Sequence, residues 1–424
     1  MNLRIPSADW RNIIETITVR AFNLIVGVAG IIIIARLLGP EGQGAYAATI
    51  VWVGLVATIA GLSLGLVSHY RIQARGKTAW DGAIFGSLLV LLLALSLTAS
   101  IFVIVAHFLS NGEFFGHLPS SALAVAVLLL PLLIWDEYAS NLLASADRIQ
   151  TYNRLQMGGR SLGLVLLVLF VATLDAGING ALGALVIGQA FIAIGSFAVL
   201  WRIHRAPLQI VPDEIRQLIH GALRLHLTTI GAFLLSHSSV LVLNELASKA
   251  AVGWYHLSWQ MVTVAMIVPQ AASLMLYTKI ARHNPDRAWP VYKHVTVGVM
   301  GFMIVLVPLA YLVGPKIIVY LTGNNFQTSA ELFRILLPVL LGMSFAQLMT
   351  PQWISRGLFV PSSLITIATA GVHVLATIAL VKSNGVIGAA WATALTLGIA
   401  PLLVQGYFAW WCEKQYRRSQ TGVV

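Results

Sequence analysis

Four arginines lie inside long apolar stretches of the sequence, where a charged side chain is costly. They are Arg20, Arg160, Arg224 and Arg334. A guanidinium group donates two parallel, charge-assisted hydrogen bonds to a phosphate, so arginines in such surroundings are typical of sites for anionic groups. Two acids, Asp136 and Glu137, lie in a further apolar stretch. We see no complete motif of an ATP site, a metalloprotease or a serine hydrolase, so we expect binding rather than enzymatic chemistry.

The composition indicates that these charges belong to a polytopic membrane protein. Of the 424 residues, 58% are hydrophobic and 10% are charged, against roughly 25% charged in an ordinary soluble domain. So few charges cannot cover a soluble core of this length, which excludes a soluble enzyme, a disordered protein and a fibrous protein. The single cysteine, Cys412, excludes an intramolecular disulfide and a cysteine-based metal cluster. We expect no metal and no cofactor.

The apolar stretches are long enough to be membrane-spanning helices, which need about 20 residues each. About twelve are predicted, at residues 14–38, 44–69, 82–109, 119–144, 155–174, 179–201, 217–244, 251–277, 292–313, 329–354, 360–381 and 386–411. The longest polar segment, about residues 202–216, follows the sixth. The prediction is an all-α membrane protein with two six-helix bundles, at residues 1–205 and 206–424, and a short C-terminal tail.

The charge distribution orients these helices. With the N-terminus in the cytoplasm, about eighteen Lys and Arg fall in cytoplasmic segments and about four on the other face, as the positive-inside rule requires. Both termini are therefore predicted to be cytoplasmic. The net charge of +11 is then explained by loops that face anionic membrane lipids, and nucleic acid is not an expected partner.

Short matches between the two predicted halves indicate a diverged repeat. Gly44-Ala45-Tyr46 matches Gly253-Trp254-Tyr255, and Asn179-Gly180 matches Asn384-Gly385 at a similar offset. Six helices per half is an even number, so both repeats have the same membrane orientation. The halves should be related by a pseudo-two-fold axis along the membrane normal, with a central cavity between them.

Helical spacing places the buried arginines on polar stripes. On the first helix, small and polar residues recur every three or four positions at Thr16, Arg20, Asn23, Gly27 and Gly30. The seventh helix repeats the pattern around Arg224, with His226 and His237 on a neighbouring face. The candidate cavity residues are Arg20, Arg224, Arg160, Asn23, His226 and His237. The alternatives for the arginines are internal salt bridges or side chains that extend to the headgroups.

Asp136 and Glu137 are adjacent in the fourth predicted helix, so their side chains point about 100° apart. They cannot both face one site. One of the two is a candidate proton or cation site for ion coupling, and the other would cap a helix or form an ion pair. The sequence does not assign the two roles.

The segment between the first two helices carries a family resemblance. Its sequence, Ala35-Arg36-Leu37-Leu38-Gly39-Pro40-Glu41-Gly42-Gln43-Gly44-Ala45-Tyr46, resembles the corresponding loop of the polysaccharide transporter, or Wzx-type O-antigen flippase, family. That family belongs to the multidrug/oligosaccharidyl-lipid/polysaccharide exporter superfamily. The second half keeps only Gly253 and Tyr255 of the pattern.

The resemblance implies a flippase of the bacterial cytoplasmic (inner) membrane. Such a protein moves undecaprenyl-diphosphate-linked oligosaccharide units of O-antigen (lipopolysaccharide), capsule or exopolysaccharide by alternating access. Arg20 and Arg224, with Arg160, would hold the pyrophosphate and acidic sugars. The implied partners are the lipid-linked substrate, membrane lipids and other polysaccharide assembly proteins. Two alternatives stay open: a drug/cation antiporter of the same superfamily, and a membrane glycosyltransferase or polymerase built around Asp136 and Glu137.

Overall fold

The computed structural model describes residues 7–76, 82–110, 121–203, 208–280 and 284–420, without the side chains of residues 7–17, 20, 224, 278 and 279. Over these residues the secondary structure is helical, with no strand. The α-helices are α1 (Ser7–Gly61), α2 (Leu64–Ala74), α3 (Gly82–Leu109), α4 (Ser121–Ser145), α5 (Ile149–Leu167), α6 (Gly177–Ile203), α7 (Pro212–Leu246), α8 (Lys249–Val264), α9 (Ile267–Ile280), α10 (Pro285–Thr322), α11 (Gln327–Leu336), α12 (Pro338–Ser355), α13 (Phe359–Thr393) and α14 (Ala400–Gln420). Six-residue π-helical segments follow α5 and α13.

Two of the long helices contain a reversal of the chain at a glycine. In α1, Gly39 has φ 66° and is followed by Pro40. Ile34 and Tyr46, on either side of this point, line the same cavity, so the two arms of α1 lie side by side. In α13, Gly385 has φ 57°, and a Cβ added at Gly388 would overlap the carbonyl oxygen of Leu380, so the chain folds back there. These positive φ angles favour glycine because it has no Cβ.

The reversals bring the number of membrane spans to the predicted twelve. Eight helical segments of the described chain are long and apolar enough to cross a membrane, or ten if each of two bent helix pairs is one span. Two of the segments run 54 and 62 residues, which is about twice the length that one crossing needs. Each is divided by a reversal and counts as two spans, so the ten candidates become twelve. The predicted all-α, two-bundle fold is confirmed, while the predicted domain boundary at residue 205 lies outside the described residues.

The second span is interrupted at Leu62 and Ser63, which both have left-handed φ angles and separate α1 from α2. The start of α2 is capped by Glu137 of α4. Its carboxylate accepts hydrogen bonds from the backbone N–H groups of Gly65 at 3.3 Å and Leu66 at 3.2 Å. These N–H groups have no partner within the helix, so the carboxylate satisfies donors that lipid could not.

The two halves meet at glycines that the repeat comparison had matched. A Cβ atom added at Gly44 would overlap the carbonyl oxygen of Lys249, and one added at Gly253 would overlap that of Pro40. The second arm of α1 and α8 therefore approach backbone to backbone, on the side of the membrane that carries the Gly39 reversal. Beside the glycines, the Gln43 amide is 3.1 Å from Nδ1 of His256.

Helix α7 packs on both halves. Near its start, Leu218 and Ala222 are buried in the core formed by the first-half helices. Glu214 pairs there with Arg71 of α2 at 2.8 Å. Near its end, Val240 and Leu243 are buried in the core of the second half.

We expect Gly44→Ala to prevent this approach of the halves, because the added methyl group has no space beside Lys249. Spin labels at Glu41 and Lys249, both exposed, should then give a longer mean distance than in the wild type. Gly301→Ala is the matched control, since a Cβ there meets nothing within 4 Å. An unchanged distance in Gly44→Ala would show that the close approach is not required.

Removal of the carboxylate that caps α2 should destabilise the protein. Glu137→Ala leaves two buried N–H groups without an acceptor, and the loss should be about 1–3 kcal/mol. Glu137→Gln retains one acceptor oxygen and should lose less. Thermal unfolding in detergent measures both, with Ser140→Ala on the same helix as the control. Equal stability of Glu137→Ala and Ser140→Ala would contradict the capping role.

Candidate functional site

A cavity of about 370 Å³ lies among helices of the first half, where α8 of the second half adjoins them. Both arms of α1 line it, together with α5, α6 and α8. Its walls are mostly apolar or glycine, and the side chains that bring polar groups are Tyr46, Arg160, Gln189, His256 and Gln260. Four of the five are uncharged hydrogen-bonding groups, and no carboxylate is found among the described lining residues.

Arg160 is the charged residue of the described lining. It lies on α5 between Gly159 and Gly163, and its Nε donates a hydrogen bond to Gln156 Oε1 at 3.1 Å. Its terminal guanidinium nitrogens have no hydrogen-bond partner among the described residues, and the side chain is exposed to the cavity. Arg160 therefore lines the cavity as a cation, and its binding of an anionic ligand stays a prediction.

Asp136 lies behind the cavity wall and is connected to Arg160 through Gln156. Its carboxylate accepts hydrogen bonds from the Tyr152 hydroxyl at 2.8 Å and from the Gln156 amide at 3.3 Å. This continuous chain of contacts links an acid to the one charged group of the described lining. A change in the charge of Asp136 would therefore alter the electrostatic environment of Arg160.

The adjacent acids thus have the two different surroundings that their 100° separation requires. Glu137 faces α2, where its carboxylate caps the helix. Asp136 faces α5, where Tyr152 and Gln156 bond to it. Of the two ion-coupling candidates, Asp136 is the one that lies next to the cavity.

The remaining candidates with described side chains are not among the cavity-lining residues. Asn23 is one turn from Gly27, which lines the cavity, and its Oδ1 is buried without a partner among the described residues. His226 is buried at the interruption of the second span, 3.4 Å from the Ser63 hydroxyl. His237 packs against the ring of Phe233, with ring centroids 4.6 Å apart.

Arg20 and Arg224 are the two candidates whose side chains lie outside the described part of the structure. Their backbone is helical, in α1 and α7. Arg20 is one turn before Asn23 on the α1 stripe that continues through the lining residues Gly27 and Gly30. Whether either guanidinium reaches the cavity stays a prediction.

Sequence reasoning missed the uncharged polar groups of the cavity. His256 and Gln260 belong to α8, one turn apart, with the Gln260 amide 3.3 Å from Nε2 of His256. A single histidine in an apolar stretch resembles a packed residue, and amides carry no charge that marks them as unusual in a membrane helix. The sequence signal that could have identified His256 is its position, directly after the matched Gly253-Trp254-Tyr255 triplet.

Comparison with known proteins identifies the family. A family model described as polysaccharide biosynthesis protein matches residues 10–276, which is more than half of the chain. No curated protein matches the chain at a significant level. The resemblance seen in the segment from Ala35 to Tyr46 is confirmed by this match.

Solved structures with low sequence identity share the fold. An inward-facing multidrug resistance MATE family transporter of the MOP superfamily aligns with a TM-score of 0.73 at 18% identity, over 95% of this chain and 96% of that chain. The lipid II flippase MurJ in an inward closed conformation gives 0.75 at 12% identity, over 92% and 86%. An outward-facing MATE transporter gives 0.65 at 18% identity, over 96% and 95%.

The chain belongs to the polysaccharide biosynthesis protein family and has the fold of the MOP superfamily transporters.

Proposed function

We propose that this protein is a flippase that moves undecaprenyl-diphosphate-linked oligosaccharide units across the bacterial cytoplasmic membrane by alternating access. The observation that carries the proposal is the cavity of the first half beside α8, whose described lining offers one arginine, several neutral hydrogen-bonding groups and no carboxylate. Family membership supports the link to polysaccharide assembly. The polysaccharide would be O-antigen, capsule or exopolysaccharide.

The lining suits the two chemical parts of such a substrate. Arg160 presents free guanidinium nitrogens, which bind phosphate or an acidic sugar by paired hydrogen bonds. The amides of Gln189 and Gln260 and the ring of His256 match the hydroxyl groups of neutral sugars, which need both donors and acceptors. The polyprenyl tail is apolar and would remain in the bilayer.

Transport of the substrate requires the two halves to change their contacts with each other around this cavity. In the present conformation they are in contact at Gly44 and Gly253. Opening at this point, with closure at the other end, would transfer the head group from one leaflet to the other. Asp136 would couple an ion to this step, because its protonation or neutralisation alters the charge next to Arg160 through Gln156.

A drug/cation antiporter is the second candidate function, and the likeness in fold to multidrug MATE transporters favours it. A site for cationic drugs would place carboxylates in the cavity to balance the charge of the ligand. Here the charged group of the described lining is a cation, and Asp136 is engaged by Tyr152 and Gln156. Charge complementarity therefore favours an anionic substrate.

We expect Arg160→Ala to lower the rate at which a fluorescently labelled, lipid-linked oligosaccharide crosses the bilayer of proteoliposomes, by roughly tenfold or more if a charge-assisted pair worth about 1.5–3 kcal/mol is lost. Arg160→Lys should recover part of the rate, because it keeps the charge but not the paired geometry. Arg154→Ala, on the same helix but outside the cavity lining, should behave as the wild type.

Transport of a cationic dye instead of the oligosaccharide would support the antiporter and overturn the flippase. A wild-type rate of oligosaccharide flipping in Arg160→Ala would show that Arg160 does not bind the substrate.

Arg20→Ala and Arg224→Ala should abolish surface polysaccharide in cells that depend on this protein, if both side chains enter the cavity. The protein must remain at wild-type levels in the membrane, which immunoblotting of membrane fractions checks. Normal polysaccharide in both variants would assign these arginines to salt bridges or to the headgroup region.

A further inference from the structure

A second group of buried polar side chains lies in the second half, away from the cavity. This group, the His373 cluster, consists of Ser239, Tyr255, His373, Thr393 and Thr396. It joins α7, α8, α13 and the π-helical segment that follows α13. The side chain of His373 is 1% exposed and that of Ser239 is 2% exposed. No step of the proposed transport has yet used them.

Hydrogen-bond accounting favours one tautomer of His373. The Thr396 hydroxyl is 2.7 Å from Nδ1 of His373, and its single hydrogen is donated to the carbonyl oxygen of Ala392 at 2.7 Å. With its hydrogen donated to Ala392, Thr396 accepts from the ring. This arrangement places the proton of neutral His373 on Nδ1 and leaves a lone pair on Nε2.

The lone pair on Nε2 faces the Ser239 hydroxyl, which can either donate or accept a hydrogen bond. The Ser239 hydroxyl is 3.4 Å from Nε2 and 3.1 Å from the Thr393 hydroxyl. When His373 is neutral, Ser239 can donate to Nε2. When Nε2 carries a proton, that proton can be donated to Ser239, whose own hydrogen then turns towards Thr393.

Thr393 is able to receive this hydrogen. It donates its own hydrogen to the carbonyl oxygen of Ala389 at 2.9 Å, and it accepts from Tyr255, whose hydroxyl is 2.8 Å away. A hydroxyl oxygen has two lone pairs, so one is left for Ser239. The cluster thus satisfies every donor with and without an added proton, and the change requires one hydroxyl rotation.

Other titratable groups on the helices that surround the cluster are engaged or directed elsewhere. Tyr255 contacts the cluster itself, and Arg334 of α11 lies over the ring of Tyr311. His237 packs on Phe233, and His256 contacts Gln43 and Gln260. The exposed charges nearest along the chain are Glu245, Lys249, Glu331 and Lys382. None of these described groups supplies a fixed counter-charge, so an added proton on His373 would be stabilised by the hydrogen bonds of the cluster alone.

The helix geometry around the cluster is compatible with movement. The π-helical segment, Ala394–Ile399, contains Thr396, and Gly342 of α12 packs against the backbone of Gly398 in the same segment. Single π-helical turns inside helices are common at functional sites because they free backbone groups and shift the register. Thr393 is about eight residues from the Gly385 reversal, or about 12 Å along the helix, on the predicted periplasmic side.

We propose that His373 is a proton-binding site of the second half, with the added proton on Nε2 and with Ser239 and Thr393 as its acceptors. Its role as a coupling site rests on the proposed flippase function, whereas proton binding itself does not. The site is separate from Asp136, which serves the first half. Protonation from the periplasmic side would then bias the packing of α13 against α7 and the π-helical segment.

Nitrogen NMR tests the binding step without any transport. The protein, labelled with nitrogen-15 in its histidines and placed in lipid nanodiscs, should give a signal for a neutral ring protonated at Nδ1. That signal should be absent from His373→Gln and should convert to the doubly protonated form as the pH falls. A ring protonated at Nε2, or one that stays neutral until the protein unfolds, would overturn the proposal.

Proteoliposomes test the coupling role. A pH gradient that is acidic on the periplasmic side should accelerate flipping of the labelled lipid-linked oligosaccharide by the wild type. His373→Gln and Thr393→Val should lose this acceleration and keep the rate measured without a gradient. Thr393→Ser restores the hydroxyl and should keep the acceleration. His69→Gln, at a histidine bonded to Ser145 in the first half at 2.8 Å, is the matched control.

The two experiments separate the possible failures. If the wild type flips no oligosaccharide, the proposed function is wrong, and the NMR titration alone decides whether His373 binds a proton. If flipping occurs and His373→Gln is still accelerated by the gradient, the coupling role of His373 is wrong.

Discussion

A lipid bilayer offers no water to backbone groups, so each interruption of a spanning helix must find its hydrogen-bond partners within the protein. This constraint governs the architecture. The reversals at Gly39 and Gly385 lie at the ends of spans, where water or headgroups are close. The interruption at Leu62 and Ser63 lies inside a span, and it is possible there because the Glu137 carboxylate accepts from the freed N–H groups of α2. An acid in an apolar helix is thus part of the fold.

The sequence predicts those features of the fold that depend on length and local geometry. Twelve spans follow from the apolar segments, and the Gly39-Pro40 reversal follows from residues that favour a turn. The matched triplets at Gly44 and Gly253 predict parallel repeats, and their direct contact is what a two-fold axis near these residues produces. The interruption at Leu62 could not be predicted, because neither residue there is a glycine or a proline. It depends on a carboxylate that lies far away in the sequence.

The candidate site could be predicted from the sequence only in part. A charge in an apolar helix is visible in the sequence, so Arg160 and Asp136 could be named, and the 100° rule showed that Asp136 and Glu137 must differ. Which acid faces the cavity depends on how α4 is rotated against α2 and α5. His256 and Gln260 also line the cavity, but they are uncharged. The sequence of a helix does not show whether such a side chain packs against the protein or binds a ligand.

The packing of α7 on both halves has a mechanical consequence. Its first turns are buried with the helices of the first half and its last turns with those of the second. If the halves rotate relative to one another, neither end of α7 can slide freely, so the stretch between Ala222 and Val240 must bend. The energy of bending α7 would then oppose any rotation of the halves, whether or not the cavity holds a ligand.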